Sequence, residues 1–157
     1  MTKRLVAVVC GSRSDFSAIS QGIALLRVAE RRGLIEVVHV DHGVEACSAH
    51  RNPVELRLLV RKFQDEKVDV VIMCAGKLAA LFGECDALSR NNFGNDHTCF
   101  IAVPLKGDTE EASQAAHLSA VQVPNSQFVF QEAFFRNPEV AFEYAISGDL
   151  PTIRIEK

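Results

Sequence analysis

Short runs of mostly hydrophobic residues recur along the chain, at residues 5–10, 35–40, 68–74, 98–103 and 127–130. Several of them are nearly continuous instead of alternating with polar residues. A strand that is buried on one face alternates apolar and polar positions, whereas a strand that is buried on both faces is apolar throughout. The pattern therefore predicts five strands in a largely parallel sheet that is covered on both sides.

Between these runs, apolar residues recur at the three- and four-residue spacing of an amphipathic helix. The first such segment is residues 16–32, and Gly33 is suited to end this helix. Asn52 and Pro53 are typical of a helix start, with an N-cap residue followed by proline in the first turn. Residues 90–97 look like a loop. Three more helices are predicted, at residues 77–89, 110–121 and 138–146.

Strands and helices alternate without an internal repeat or a linker-like segment. This order is typical of a three-layer α/β/α sandwich with a parallel, flavodoxin-like or Rossmann-like sheet. A chain of 157 residues has the size of one domain, so we expect a single domain over residues 1–157. Ligands of open parallel sheets bind beyond the carboxyl ends of the strands. The segments that follow the strands are therefore the places to look for function.

Charge and hydropathy exclude several classes of protein. The net charge of −3 argues against a broad nucleic-acid surface, although a single phosphate needs only local positive charge. The apolar runs are too short to cross a bilayer, and the first residues do not resemble a signal peptide. We therefore expect a cytoplasmic protein that binds neither nucleic acid nor membranes.

The five cysteines follow neither a disulfide framework nor the spacing of a zinc site. Three of them lie inside apolar runs, where a reduced cysteine behaves as a small buried hydrophobe. A metal site would have to combine Cys47 and His50 with His39 and His42, and no other nearby pair of ligands supports it. We expect no bound metal.

Polar residues follow the first predicted strand. Gly11 allows a tight turn, and the hydroxyls of Ser12 and Ser14 could bind an anion together with the free amides of a helix start. Asp15 would repel a phosphate but suits a pair of ribose hydroxyls. The alternative is that Ser14 or Asp15 only caps the helix, since both residue types are preferred caps.

A second polar turn, Ser48-Ala49-His50-Arg51, follows the second predicted strand. The guanidinium group of Arg51 can clamp a phosphate, and histidine suits general acid–base chemistry near neutral pH. A histidine in a loop is more often merely solvated. The position of His50 carries the hypothesis, because turns that follow adjacent strands should converge at one edge of the sheet.

Five segments together resemble a known family. The Gly-Ser-x-Ser-Asp sequence at 11–15 and the Ser-Ala-His-Arg sequence at 48–51 are similar to those of the aminoimidazole ribonucleotide carboxylases, a family that includes the carboxyaminoimidazole ribonucleotide mutases. Ala-Gly at 75–76, Val-Pro at 103–104 and Ser-Ala-Val-Gln-Val-Pro at 119–124 follow in the family's order and spacing. Five segments in order are more specific than any one of them.

The resemblance implies a fold, an assembly and a reaction. The fold is a three-layer α/β sandwich, and the assembly is a homo-octamer. The reaction, in de novo purine synthesis, moves a carboxylate from the exocyclic nitrogen to a ring carbon of an imidazole ribotide, or adds carbon dioxide directly. The partners would be a phosphorylated ribotide and carbon dioxide. No metal, biotin or nucleotide cofactor is implied.

The resemblance also implies roles for individual residues. His50 would be the catalytic residue and would shuttle the proton at the ring carbon. Binding of the phosphate and ribose would fall to Ser12, Ser14, Asp15, Ser48 and Arg51. The pocket for the base and carboxylate would be formed by Gly11, Ala49, Ala75, Gly76, Lys77 and Ala79.

The chain departs from the family pattern after the third predicted strand. Where the family has Ala-Gly-Gly-Ala-Ala-His-Leu-Pro-Gly, residues 75–83 read Ala-Gly-Lys-Leu-Ala-Ala-Leu-Phe-Gly. Lys77 thus replaces a glycine, Ala80 the histidine and Phe82 the proline. The bulkier residues should reshape the base pocket. The Lys77 side chain could contact a carboxylate or extend into solvent.

Two further departures lie elsewhere. Residues 42–47 form a longer segment than usual, and the C-terminal part is rich in phenylalanine, for which core or interface packing is expected. Three functions therefore stay open. They are a carboxylase or mutase that uses His50, a relative that acts on another phosphorylated nucleotide-like substrate, and an inactive ribotide-binding or assembly domain.

Overall fold

The computed structural model describes residues 2–41 and 48–155. Within them, four strands form an all-parallel sheet in the order β2-β1-β3-β4. This order is flavodoxin-like, and it confirms the predicted α/β/α architecture. The strands are β1 (Arg4–Cys10), β2 (Ile35–Val40), β3 (Val70–Gly76) and β4 (Cys99–Leu105).

Helices cover both faces of the sheet. A single turn of π-helix, Leu88–Asn92, extends the fourth helix. The helices are α1 (Arg13–Ala18), α2 (Ser20–Arg31), α3 (Pro53–Asp65), α4 (Ala80–Ala87), α5 (Glu110–Val121), α6 (Glu132–Arg136) and α7 (Pro138–Ser147).

Burial on both faces explains why the strands read as continuous apolar runs. Successive residues of a strand point to opposite faces. In β1, Ala7 belongs to the core layer beneath α3 and α4, which contains Phe63. Its neighbour Val8 belongs to the opposite layer beneath α2 and α7, which contains Phe142. All four side chains are almost completely removed from solvent.

The predicted helix at 16–32 is wrong in one respect, because this region forms two helices. α1 starts earlier than expected, with Ser12 at its N-cap position, and the helix breaks at Ile19, whose φ and ψ are −114° and 14°. Ile19 is only 1% exposed and lies in the core layer beneath α2. Ser14 and Asp15 lie inside α1, so the hypothesis that either one caps the helix is also wrong.

Three strand predictions also need correction. β4 continues through Pro104, where we expected it to end. Proline is tolerated there because β4 lies at the edge of the described sheet, so no strand needs the missing N–H. The predicted fifth strand at 127–130 is reduced to one bridge between Ile101 and Val129. β3 begins and ends two residues later than predicted.

The segment between β3 and β4 differs from its prediction as well. The helix begins at Ala80 instead of residue 77, and its π-helical turn continues to Asn92. Part of the stretch we expected to be a loop is therefore helical. The Arg90 side chain pairs with Asp86 through Nε–Oδ1 and Nη2–Oδ2 distances of 3.0 and 2.7 Å, and the carbonyl of Asn125 accepts another bond from it at 2.6 Å.

No helix within residues 2–41 and 48–155 is long and apolar enough to cross a membrane. In the same ranges, no cluster of three or more His, Cys, Asp or Glu residues could hold a metal ion. His42 and Cys47, which the alternative metal site requires, lie outside the described residues. Phe134 and Phe142 of the aromatic C-terminal part are fully buried, in line with their expected packing role.

Candidate functional site

The segments that follow the strands converge at the carboxyl edge of the sheet and border a cavity of about 550 Å³. β1 lies between β2 and β3 in the sheet. The chain runs from β1 to β2 on one side of β1 and later returns to form β3 on its other side. Ligands of doubly wound sheets bind at such a switch point. The backbone N–H of Gly11 donates to the Cys74 carbonyl at 2.9 Å, so the first turn starts tightly against β3.

The cavity brings together every residue that the sequence predicted for the site. They line it from three separate segments of the chain, at the carboxyl ends of β1, β2 and β3. The residues are Gly11, Ser12, Ser14, Asp15, Ser48, Ala49, His50, Arg51, Ala75, Gly76, Lys77 and Ala79.

Sequence reasoning missed other residues of the lining. Lys106, Gly107 and Asp108 border the cavity from the segment after β4, and Leu78 lies on the loop after β3 with 81% of its surface exposed. The position of the first three, directly after a buried strand, is the signal that could have identified them. The others are Ala18, Ala80, Leu81 and Leu105.

The first turn holds a chain of hydrogen bonds that ends on a carboxylate. The Ser12 hydroxyl donates to Asp15 Oδ2 at 2.9 Å and lies 2.9 Å from the Ser14 hydroxyl. Because Ser12 has a single hydroxyl hydrogen, Ser14 must be the donor of the second bond. Asp15 is partly buried, and this burial raises the pKa of its carboxyl group, while the bonds from Ser12 and the nearby Arg51 charge oppose the rise.

The second turn is shaped by the hydroxyl of Ser48. Its oxygen accepts the backbone N–H groups of His50 and Arg51 at 3.2 and 3.1 Å. The backbone N–H of Ser48 donates in turn to Asn52 Oδ1 at 2.7 Å, next to the start of α3. In both of the first two bonds the Ser48 oxygen is the acceptor, and within residues 2–41 and 48–155 its hydroxyl donates to no other group, so this hydrogen can be offered to a ligand.

The first two turns face each other. Arg51 Nη2 lies 3.5 Å from the carbonyl oxygen of Gly11, and the Arg51 charge lowers the pKa of Asp15 against the effect of burial. His50, which precedes Arg51, is exposed and lines the same cavity. A ligand in this space can therefore contact a guanidinium group, an imidazole ring and a carboxylate together.

The third loop is held in place from α5. The backbone N–H of Ala79 donates to Ser119 Oγ at 2.9 Å, and the Ser119 hydroxyl donates to the carbonyl of Ala115 at 2.8 Å. Lys77 has a φ of +54°, in the left-handed region where glycine has the lowest steric cost. Ser119 belongs to the segment at 119–124 that carried part of the resemblance, and the structure gives it a positioning role.

Two other histidines are paired away from this cavity. His39 Nε2 lies 2.7 Å from Asp41 Oδ1, and His117 Nε2 lies 2.8 Å from Glu132 Oε1. Asp41 also accepts the backbone N–H of Cys10 at 3.0 Å. These contacts link elements of the fold, as expected for structural histidines.

The fold and the site together define a flavodoxin-like α/β protein with a cavity at the switch point of its sheet, lined by Arg51, Lys77 and Asp15. The model of the AIR carboxylase family matches residues 5–133, and the chain belongs to this family. The chain is also similar to the N5-carboxyaminoimidazole ribonucleotide mutase of Pseudomonas aeruginosa, with 28% identity over 120 residues. That match covers 76% of this chain and 63% of the relative, so the chain spans less than two thirds of the relative's length. The resemblance inferred from five short segments is confirmed at the level of the family.

Proposed function

We propose that this protein is an enzyme of de novo purine biosynthesis that moves a carboxylate on an aminoimidazole ribotide, as a mutase or as a carboxylase. The observation that carries the proposal is that the Ser12 turn and the His50–Arg51 turn face each other across one cavity. Membership of the AIR carboxylase family supports an imidazole ribotide as the ligand.

The phosphate would bind to the Arg51 guanidinium group, whose planar fork matches two phosphate oxygens. The hydroxyl group of Ser48, whose oxygen is the acceptor in its two bonds to the turn, can donate a bond to the phosphate from the same turn. Ser14 donates to Ser12 and Ser12 donates to Asp15 in the described structure, so both serines would contact phosphate only after turning their hydroxyl groups. Asp15 would accept hydrogen bonds from the ribose hydroxyls.

The imidazole ring would lie against small residues. Ala49, Ala75, Gly76 and Ala79 line the cavity and leave room for a planar group. Gly11 contributes through its missing side chain, because a Cβ atom there would lie 3.1 Å from the Cβ atom of Ala75. A ring in this position would be within the cavity that the exposed His50 also borders.

His50 would carry a proton between the two halves of the reaction. In the mutase reaction the bond between the exocyclic nitrogen and the carboxylate carbon breaks, and the electron pair stays on the nitrogen, which takes a proton from the imidazolium group. The ring carbon then attacks the released carbon dioxide, and the neutral imidazole accepts the proton that this carbon loses. Histidine suits both steps, and the cavity must retain carbon dioxide between them.

A spectroscopic assay with N5-carboxyaminoimidazole ribonucleotide tests this role. The His50→Asn substitution removes the proton carrier, and we expect the rate of ribotide conversion to fall by a factor of about 100 or more. The matched control is His97→Asn, because His97 is exposed, pairs with Asp69 and does not line the cavity. Equal rates for wild type and His50→Asn would remove His50 from the mechanism.

A second candidate is a relative that binds a ribotide but acts on another base or acceptor. The departures at Lys77, Ala80 and Phe82 favour it, since two of these three residues line the cavity. Wild-type protein that binds the ribotide but never isomerises or carboxylates it would support this candidate. An inactive binding or assembly domain would give the same result with every related ribotide.

The proposal includes assembly into a homo-octamer in the cytoplasm and requires no metal or organic cofactor. It also treats residues 1–157 as one domain. Light scattering on the purified protein measures the assembly directly, and a monomer at micromolar concentration would contradict that part.

A further inference from the structure

Lys77 has a left-handed backbone conformation, which glycine and asparagine adopt more easily than lysine does. Its φ is +54°, and it directly follows the last residue of β3. Lys67 has the same φ, but it comes just after the end of α3, where a left-handed residue commonly terminates a helix. Lys77 does not follow a helix, so this explanation does not apply to it. A strained residue that also lines a cavity is a candidate for function.

The ammonium group of Lys77 is available to a ligand. In the described part of the chain it has neither a hydrogen-bond partner nor a salt-bridge partner, and the residue is exposed. Lys106 is a less suitable cation, because its Nζ lies 5.7 Å from the centroid of the Phe135 ring and Asp108 borders the cavity beside it. Among these two lysines, Lys77 is therefore the better anion ligand.

The order of the strands separates the positive charges. β2 and β3 flank β1, so their carboxyl ends are about 10 Å apart at the usual strand spacing. Arg51 lies in the turn after β2, Lys77 in the loop after β3, and the carboxylate of Asp15 follows β1 between them. Asp15 disfavours an anionic group in the middle of the cavity. The arrangement fits a ligand with one anionic group at each end and hydroxyl groups between them.

We propose that Lys77 binds a carboxylate of the ligand and makes this site selective for carboxylated over uncarboxylated aminoimidazole ribotides. The inference rests on the proposed function, which places a phosphorylated imidazole ribotide in the cavity. Arg51 holds the phosphate end, and Lys77 holds the end that carries the carboxylate. A ribotide without a carboxylate leaves the Lys77 ammonium group in water, so this group adds nothing to its affinity.

Calorimetric titration with three probes tests the assignment. The probes are ribose 5-phosphate, aminoimidazole ribotide and its 4-carboxylated form. Lys77→Ala keeps a Cβ atom on the left-handed backbone and removes only the charged stem, and Lys77→Arg restores a cation. The control is Lys67→Ala, which has the same φ in the parent protein but lies outside the cavity.

We expect Lys77→Ala to weaken binding of the carboxylated ribotide by about 10- to 100-fold, which is the range expected for the loss of one charge-assisted hydrogen bond. The other two probes should bind unchanged, and Lys77→Arg should recover most of the loss. Arg51→Ala should weaken the binding of all three probes, because each of them carries the phosphate. Lys67→Ala should change none of them.

Two results would overturn the selectivity. One is an unchanged affinity of Lys77→Ala for the carboxylated ribotide, and the other is an equal loss for both ribotides. The wild-type titrations separate these failures from a failure of the proposed function. Wild-type protein that binds neither ribotide would overturn the proposed function and this assignment with it.

Discussion

Ser119 links the core helix α5 to the loop that carries Lys77, and its removal should cost measurable stability. The Ser119 oxygen accepts the backbone N–H of Ala79, which is only 6% exposed. In Ser119→Ala this donor loses its partner in a place that water reaches poorly. An unsatisfied buried donor costs about 1–3 kcal/mol, so we expect the free energy of unfolding to fall by that amount.

Ser113 provides a matched control on the same helix. Its hydroxyl donates to the Thr109 carbonyl at 3.2 Å and accepts the backbone N–H of Gly107 at 3.0 Å. The pattern of bonds is the same as at Ser119, but Gly107 is exposed. Water can replace the lost acceptor there, so Ser113→Ala should stay within about 0.5 kcal/mol of wild type.

Urea unfolding measures both variants, and equal slopes against urea concentration would show that the unfolding transition is comparable. We expect Ser119→Ala to be less stable than Ser113→Ala by about 1 kcal/mol or more. Ser119→Thr retains the hydroxyl group and should recover part of the loss. If Ser119→Ala and Ser113→Ala were equally stable, burial of the Ala79 N–H would not be the source of the effect, and the reasoning would be refuted.

Two further predictions concern pH and packing. Burial raises the pKa of Asp15 above its ordinary value of 3.8. At a pH just above 3.8 the folded state therefore binds more protons than the unfolded state, and the free energy of unfolding falls as the pH rises through the folded pKa. Asp15→Asn should therefore be more stable than wild type at pH 7, with an advantage that disappears below about pH 4 in thermal unfolding; an advantage independent of pH would contradict this. A Cβ atom at Gly22 would lie 2.5 Å from Cδ2 of the buried Phe142 ring, so Gly22→Ala should destabilise by about 1–3 kcal/mol. In Gly83→Ala the new Cβ atom would lie 3.6 Å from Val123 Cγ1, an ordinary contact, so this variant should stabilise the protein by up to about 1 kcal/mol. A change of the same sign in both variants would refute the packing argument.

The sequence was sufficient to predict a parallel sheet and the segments that border the candidate site. A strand buried on both faces needs apolar residues at every position, and this local property is visible in the sequence as continuous runs. The rule that ligands bind beyond the carboxyl ends of strands then identified the turns with Ser12, His50 and Lys77. The family resemblance, which rests on residues in these same turns, supplied the ribotide and the assigned roles.

Features that depend on contacts between distant residues required the tertiary structure. The break at Ile19 coincides with the burial of its side chain in a core layer shared with α7. The anchoring of Ala79 depends on Ser119, which is 40 residues away. The left-handed conformation of Lys77 could not be predicted either, because a lysine has no local preference for it. Local sequence predicted the four strands of the sheet to within two residues at each end, whereas packing of distant segments decided how each loop is held.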